Sequence, residues 1–384
     1  MKTNEIRDCF LTFFEKRGHK RVKSDLLIPV DDPTLLFTGA GMNQFKDYFM
    51  GLKKDMTRAT SSQKCLRTGD LDNVGVTAYH HSFFEMLGNF SFADYFKREA
   101  IQWAWEFLTT ELNIPKERLR VSVHLTDNEA FQIWEKEIGL SSSMISRFGD
   151  KDNFWPANAP KEGPNGPCGP CSEIFYDQGE KFGKDQTVDG EGNRFAEIWN
   201  LVFTQFDRIG VDELKPLPFK NIDTGMGLER LACVMQGKLS NFEIDIFEGF
   251  IGYIKQLAKL PNLDHEATKK SVYAIADHLR AVSFSIVDGA YPTNEGRGYV
   301  IRKLIRRAVW NGWKLGVKRP FLSDMTPILE DAMGKVYPEI GENRDQLDQV
   351  LKSEEERFLN TLEDGLHRLK GLLDRLEANG AGVL

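Results

Sequence analysis

One run of ten residues, Asn221, Ile222, Asp223, Thr224, Gly225, Met226, Gly227, Leu228, Glu229 and Arg230, sets a carboxylate, two glycines and a guanidinium where a strand-like pattern passes into a helical one. Gly225 and Gly227 permit close approach of the backbone to a ligand, a helix start offers free N–H groups to an anion, and Arg230 adds a planar fork of donors. That combination suits a triphosphate, although a plain helix cap uses the same residues. A second group opens at Arg58 in an extended run to Arg67, crosses a polar loop from Thr68 to Gly75, and returns through His80, His81, Ser82, Phe83, Phe84, Glu85 and Met86. Paired strands of this kind predict Arg58 on a phosphate and Phe84 stacked on a purine, with a hairpin of core phenylalanines as the alternative. Cys168 and Cys171 form a C-x-x-C in a Gly/Pro-rich stretch with no second pair nearby, so no zinc is expected, and His80 and His81 read as hydrogen-bonding residues rather than metal ligands.

The elements that must carry these residues follow from periodicity. Asn4 to Arg17 predicts a helix capped by Thr3 or Asn4 and stopped by Gly18, with Ile6, Phe10, Phe13 and Phe14 facing inward. Residues 19 to about 240 mix strand-like runs (121–125, 195–206, 219–222) with loops and a helix over 98–112, the signature of an α+β domain. After Asp245 the strand signals fade, and helical spacing recurs over 245–258, 267–287, 299–315 and 344–376. The expected division is therefore 1–243 and 244–384, the second part all-α. The final small residues, Asn379 to Leu384, suggest a cut in a longer chain.

The 384 residues are 41% hydrophobic and 28% charged, a globular composition. No apolar run approaches the roughly 18 residues of a membrane span, the residues Met1 to Arg7 offer no apolar core for a secretory signal, and five scattered cysteines indicate a reducing cytosol. The net charge of −7 excludes a uniformly basic nucleic-acid coat, yet Asn294 to Pro320 holds eight basic residues against the single acid Glu295. On a helical wheel Val300, Ile301, Leu304, Ile305, Ala308 and Val309 share one side, while Arg302, Lys303, Arg306, Arg307, Trp310, Trp313 and Lys314 fill the other. Basic groups interleaved with two indoles predict an anion-binding face suited to a nucleic acid, against the plainer reading of a solvated helix. Common phosphate-loop, dinucleotide, zinc-helix and nucleophile-elbow motifs do not occur.

Taken in order, the stretches DPTLLFTGAGMNQFKDYF, RATSSQKCLR, HHSFFEMLGNFSFADYFK, DNFW, GPCGPCSEIFYD, EIWNLVF, NIDTGMGLERLACVMQG and NEGRGYVIRKLIRRAV resemble the alanyl-tRNA synthetases, a family of class II aminoacyl-tRNA synthetases. The resemblance covers nearly the whole chain. It implies a six- or seven-stranded antiparallel sheet flanked by helices, an adenylation domain over 1–243 and a helical tRNA-recognition region over 244–384 that lacks the family's later domains. It implies ATP, Mg²⁺, L-alanine and the acceptor stem of alanine tRNA as ligands, and alanyl-adenylate formation followed by transfer to the terminal adenosine. Arg58 matches the arginine that grips the α-phosphate and the alanine carboxylate. Arg67, Phe84, Gly225, Gly227 and Arg230 match the ATP site, with Phe84 and Arg230 on the two sides of adenine. Asp223 matches the acid that holds the α-ammonium, helped by Asn200, while Met42, Trp155 and Val202 resemble the walls of a pocket for one methyl group. Glu197 resembles a Mg²⁺ ligand. Asn294 resembles the reader of a G·U wobble pair, with Arg297, Arg302, Lys303, Arg306 and Arg307 along the RNA. Two departures stand out: a short loop at Arg67 to Leu71 and an enlarged one at Pro156 to Pro164. A catalytically decayed tRNA-binding module and an ATP-dependent ligase without tRNA are the competing readings. A cytoplasmic monomer is expected.

Overall fold

The structure, a computed structural model, describes residues 1–30, 35–69, 71–188 and 192–378. The small-residue tail 379–384, Asp70 of the short loop and the start of the first family stretch, 32–34, lie outside the described residues. Two compact units emerge. The first comprises Met1–Leu26, Thr38–Cys65 and Phe84–Ile244, and the second Leu27–Phe37, Leu66–Phe83 and Asp245–Leu384. The second unit thus recruits two short segments from the N-terminal half, which a single cut of the chain does not provide for.

The first unit is built on a nine-stranded sheet. Its strands are β1 (Lys20–Arg21), β2 (Arg58–Leu66), β3 (Phe83–Phe92), β4 (Leu119–His124), β5 (Ile145–Phe148), β6 (Phe154–Trp155), β7 (Gly166–Asp177), β8 (Phe195–Gly210) and β9 (Glu213–Gly227). They run in the order β1-β2-β3-β9-β8-β7-β4-β5, and β6 pairs with β7 off this path. The sheet is larger than expected and mixed: β1 lies parallel to β2 and β5 parallel to β4, while β3, β9, β8, β7 and β4 alternate. Those two parallel edges are only two and four residues long, too short for a periodic signal.

Both faces of the central strands are covered, which explains why Ile198, Trp199, Leu201, Val202 and Phe203 of β8 are all buried, with only Asn200 interrupting the apolar run. On one face sits helix Thr3–Glu15, whose Phe10 packs edge-on against Phe107 and tilts on Trp199. Burial of each such ring contributes about 2–3 kcal/mol. The cap differs from expectation: Thr3 is already helical, and the Lys2 N–H donates to Glu5 Oε2 at 2.8 Å. The other face carries Met42, Phe45, Phe49, Ala59, Phe90 and Phe92 in one cluster.

The second unit is helical over Asp245–Leu257, Glu266–Val287, Gly296–Lys314 and Arg344–Ala378. Its axis is the helix Glu266–Val287, buried continuously from Ser271 to Ile286. Packed with it, Gly296–Lys314 buries Ile301, Leu304, Ile305, Ala308 and Val309, the apolar side predicted by the wheel. No helix among the described residues is long and apolar enough to cross a membrane.

Candidate active site

Strand pairing brings several of the first unit's chemical residues to one face of the sheet. Asp223 of β9 pairs with Val202 of β8, which pairs with Cys171 of β7; one level away Gly225 pairs with Asn200, which pairs with Glu173. The β3–β9 register carries Phe90 to the level of Asp223, so Asp223 shares its face with the cluster that holds Met42. Phe84 and Met86 have the parity of Phe90, and both are only half-buried while Phe83, Glu85 and Leu87 between them are buried. Trp155 pairs with Gly169 of β7, next along the same edge, and precedes a cis bond to Pro156.

Asp223 is the decisive group. It is 5% exposed, and among the described residues no hydrogen bond or ion pair reaches its carboxylate. Burial alone therefore pushes its pKa up, to about 7. Its diagonal neighbour Asn200 donates from Nδ2 to Glu173 Oε1 at 3.0 Å, which leaves Asn200 Oδ1 buried with no hydrogen-bond partner and only the Cys171 thiol, a weak donor, beside it. Two acceptors on one face thus await a donor that the protein does not supply.

Glu173 was not singled out from the sequence, yet it orients Asn200. Burial, then repulsion from Glu197 and Asp152, raises its pKa well above the carboxylate range. The signal available was its place in GPCGPCSEIFYD, two residues beyond Cys171 and hence on the same face.

Arg230 leads from the first turn of helix Leu228–Met235 back to Glu197, bonding its carbonyl at 3.0 Å and its carboxylate at 3.1 Å. Glu197 is therefore engaged by a cation, and the described residues contain no cluster of three or more metal-ligating side chains. Gly225 departs from the turn expected for it: it is a strand residue, with Met86 Sδ where its Cβ would stand, 2.9 Å away. Gly227 caps the helix, and a Cβ there would touch only Arg230, at 3.7 Å. A buried network braces this junction. Arg7 makes a bidentate pair with Glu85, and the Glu85 N–H donates to the Glu229 carboxylate at 3.1 Å, so the residues adjoining Phe84 and Arg230 are tied together.

Arg58 stands apart from this group. Its guanidinium forms a two-point pair with Asp94 at 2.7 and 3.0 Å, donates to the Arg17 carbonyl at 2.7 Å and lies over the rings of Tyr95 and Trp103. This is the helix-covered face. Ala59, the next residue, packs with Phe90 on the opposite one, so strand alternation turns Arg58 away from Asp223. Arg67 follows nine positions later, an odd number, and its backbone N–H bonds the Ser82 carbonyl within the second unit.

In that second unit the expected basic face is largely neutralised by acids distant in sequence. Arg302 and Arg306 both reach Glu354, at 3.1 and 2.9 Å, and Arg307 reaches Asp72 at 2.8 Å and the Leu71 carbonyl at 2.9 Å. Arg297 donates to the carbonyls of Leu35 and Leu36, and Asn294 accepts from Arg302. The face is not free of carboxylates, as local sequence implied, although Lys303 remains exposed. His81 and Ser82 bond Asp277, and His80 bonds Thr77, as hydrogen-bonding roles require.

The sheet thus carries an unsatisfied buried acid, and a cation stands at its strand-to-helix junction. The profile of the tRNA synthetases class II (A) matches residues 5–381, and the chain belongs to that family. Among its relatives are alanine–tRNA ligases of Legionella pneumophila (strain Corby), 53% identical over 98% of this chain and 44% of theirs, and of Nitrosospira multiformis, 52% identical over 98% and 43%. That of Neisseria meningitidis serogroup B is 51% identical over 97% and 44%. The chain spans less than half the length of these curated relatives. An asparaginyl-tRNA synthetase of Entamoeba histolytica in complex with asparaginyl-adenylate aligns over 64% of this chain and 65% of its own at 8% identity, with a TM-score of 0.37, too loose a match to bear on function.

Proposed function

We propose that this chain activates L-alanine with ATP and passes it to the terminal adenosine of alanine tRNA in the cytosol. The supporting observation is the buried, partnerless Asp223 beside the unpaired Asn200 Oδ1: an α-ammonium carries three N–H donors and the positive charge this pair lacks. In the first step an alanine carboxylate oxygen bonds to the α-phosphorus as the bond to the β,γ unit breaks, releasing pyrophosphate. In the second, a ribose hydroxyl of the tRNA attacks the alanyl carbonyl and AMP departs. Neither step needs a protein nucleophile, so positioning and neutralisation of phosphate charge supply the catalysis.

Asp223 and Asn200 hold the amino group, and Val202, Met42 and Trp155 limit the side chain. Phe84 and Arg230 receive the nucleotide between β3 and the helix that Gly227 caps. The guanidinium of Arg230 meets the charge of the phosphates. Glu197, which holds Arg230 through one carboxylate oxygen, would be the residue to approach a Mg²⁺ ion brought with ATP, and the ion would supply neutralisation of phosphate charge. Asn294 and the basic helix serve the RNA.

Alanine-dependent ATP–pyrophosphate exchange, run with and without tRNA across alanine, glycine and serine, tests this reading. Alanine should lead glycine by roughly one missing methyl, about 1–3 kcal/mol. RNA binding without exchange would instead favour a decayed module, and exchange with an acid that never reaches tRNA would favour a tRNA-independent ligase.

A further inference from the structure

The helix Gly296–Lys314 separates into two chemically different halves. Its arginines are spoken for: Arg302 and Arg306 by Glu354, Arg307 by Asp72, and Arg297 by the carbonyls of Leu35 and Leu36. Towards its C-terminal end, Trp310 and Trp313 stack nearly parallel, with ring centres 5.2 Å apart and planes 8° from parallel. Lys318 Nζ lies 3.1 Å from the centre of the Trp313 ring and donates to the Trp313 carbonyl. Cation, indole and indole thus form one column, and Trp310, 39% exposed, ends it.

The surroundings are positive. Burial first, and then the field of Lys270 and Arg307, lowers the pKa of Lys314, and among the described residues no carboxylate bonds Lys303, Lys314 or Lys318. Asp72 is the acid in this field, and it is already bonded to Arg307 while Lys303 and Lys270 help hold it below the ordinary carboxylate range. A large exposed π-face behind which a cation sits, ringed by unpaired lysines, is the arrangement that stacks a base and follows its phosphates. A membrane surface would be met by lysines with scattered apolar side chains rather than by ordered, mutually stacked rings.

We infer that the Trp310–Trp313 column, with Lys303, Lys314 and Lys270, is a stacking site for an unpaired nucleotide of bound RNA. The inference rests on the reading of this chain as a tRNA enzyme and adds a specific stacking contact on Trp310 to it. Stacking on Trp310 is indifferent to base identity, whereas the lysines fix the strand through its phosphates.

The test uses the whole chain and a single-stranded oligoribonucleotide of about eight nucleotides, within the usual span of such sites. Wild-type protein should bind it with quenching of tryptophan fluorescence. Trp310→Ala should weaken binding about tenfold or more, the measured worth of one stacked base, while Trp310→Phe keeps most of the affinity. Lys314→Ala should reduce the salt slope by about 0.7 log units. Trp310 is exposed, so the melting temperature and alanine-dependent exchange should stay at wild-type values in each variant. Equal affinity of Trp310→Ala and wild type, or displacement by heparin of binding that ignores Trp310, would overturn the inference. If transfer to tRNA proceeds while Trp310→Ala changes nothing, only this contact fails; if neither binding nor transfer occurs, the tRNA reading fails with it.

Discussion

Asp223 and Asp277 are both buried aspartates, one in each unit, and their fates are opposite. Asp277 is wholly enclosed, yet it accepts from the Ser82 backbone N–H at 3.0 Å, the Ser82 hydroxyl, His81 Nδ1 at 3.1 Å and His278 Nδ1 at 3.0 Å. Although burial opposes its charge, these histidines and donors hold its pKa far below the ordinary range. Asp223, equally removed from water, has no such company and is raised to about 7. A satisfied buried acid is a fastening. An unsatisfied one is a place where something else must bind.

The contrast can be broken most forcefully at Asp223. Asp223→Asn should reduce kcat/KM for alanine in the exchange reaction by about 10²–10³, the cost of breaking a buried ion pair from one side at about 3–5 kcal/mol, with KM for ATP little changed. The same substitution should stabilise the ligand-free protein. A folded pKa above the unfolded value gives stability that is full below about pH 4 and lost as pH rises through about 7, so at pH 8 the native carboxylate costs on the order of 2–4 kcal/mol, which asparagine avoids. Urea unfolding at pH 8 measures the gain. Unchanged exchange kinetics would remove Asp223 from the site.

Asp277→Ala should have the reverse signature. At least about 3 kcal/mol of unfolding free energy should disappear, because several buried donors lose their acceptor. In the wild type this contribution is present above about pH 4 and lost in acid, the order expected when a folded pKa is depressed. A specific rise in KM for alanine with normal stability would contradict a fastening role.

Glu173→Ala probes the orientation of Asn200. Freed from its Nδ2 partner, the amide should hold its Oδ1 less firmly, and KM for alanine should rise about tenfold, consistent with about 1–1.5 kcal/mol for one hydrogen bond, with kcat less affected. The smallest effect is expected at Arg58. Arg58→Lys sacrifices a planar two-point pair with Asp94 that is partly open to solvent, so it should lower stability by about 1 kcal/mol and leave alanine and ATP kinetics within twofold of wild type. A large loss of exchange would restore Arg58 to the phosphate site.

The sequence was most informative where one helix or strand sufficed. Helical spacing located Glu266–Val287 and Arg344–Ala378 within two residues of their ends, and the apolar side of Gly296–Lys314 was read correctly. It failed where a fact needed two distant segments. Glu354 lies some fifty residues beyond the arginines it neutralises, and no local charge count contains it. Arg58 illustrates a second limit: a role implied by family likeness says nothing of strand parity, and Ala59 and Phe90 mark the face opposite its own. Glu173 and Asp277 looked like ordinary charged residues because their importance lies largely in partners 27 and 195–196 positions away.

The most direct measurement is the pH dependence of kcat/KM for alanine in ATP–pyrophosphate exchange, with kcat/KM for ATP recorded on the same samples. Since the ammonium requires an ionised Asp223, the alanine profile should fall about tenfold per pH unit below a pKa near 7, a limb that is missing for ATP and for Asp223→Asn. An alanine profile that is flat from pH 5.5 to 8.5, or a limb shared equally by ATP, would contradict the assignment of Asp223 as the partner of the substrate's amino group.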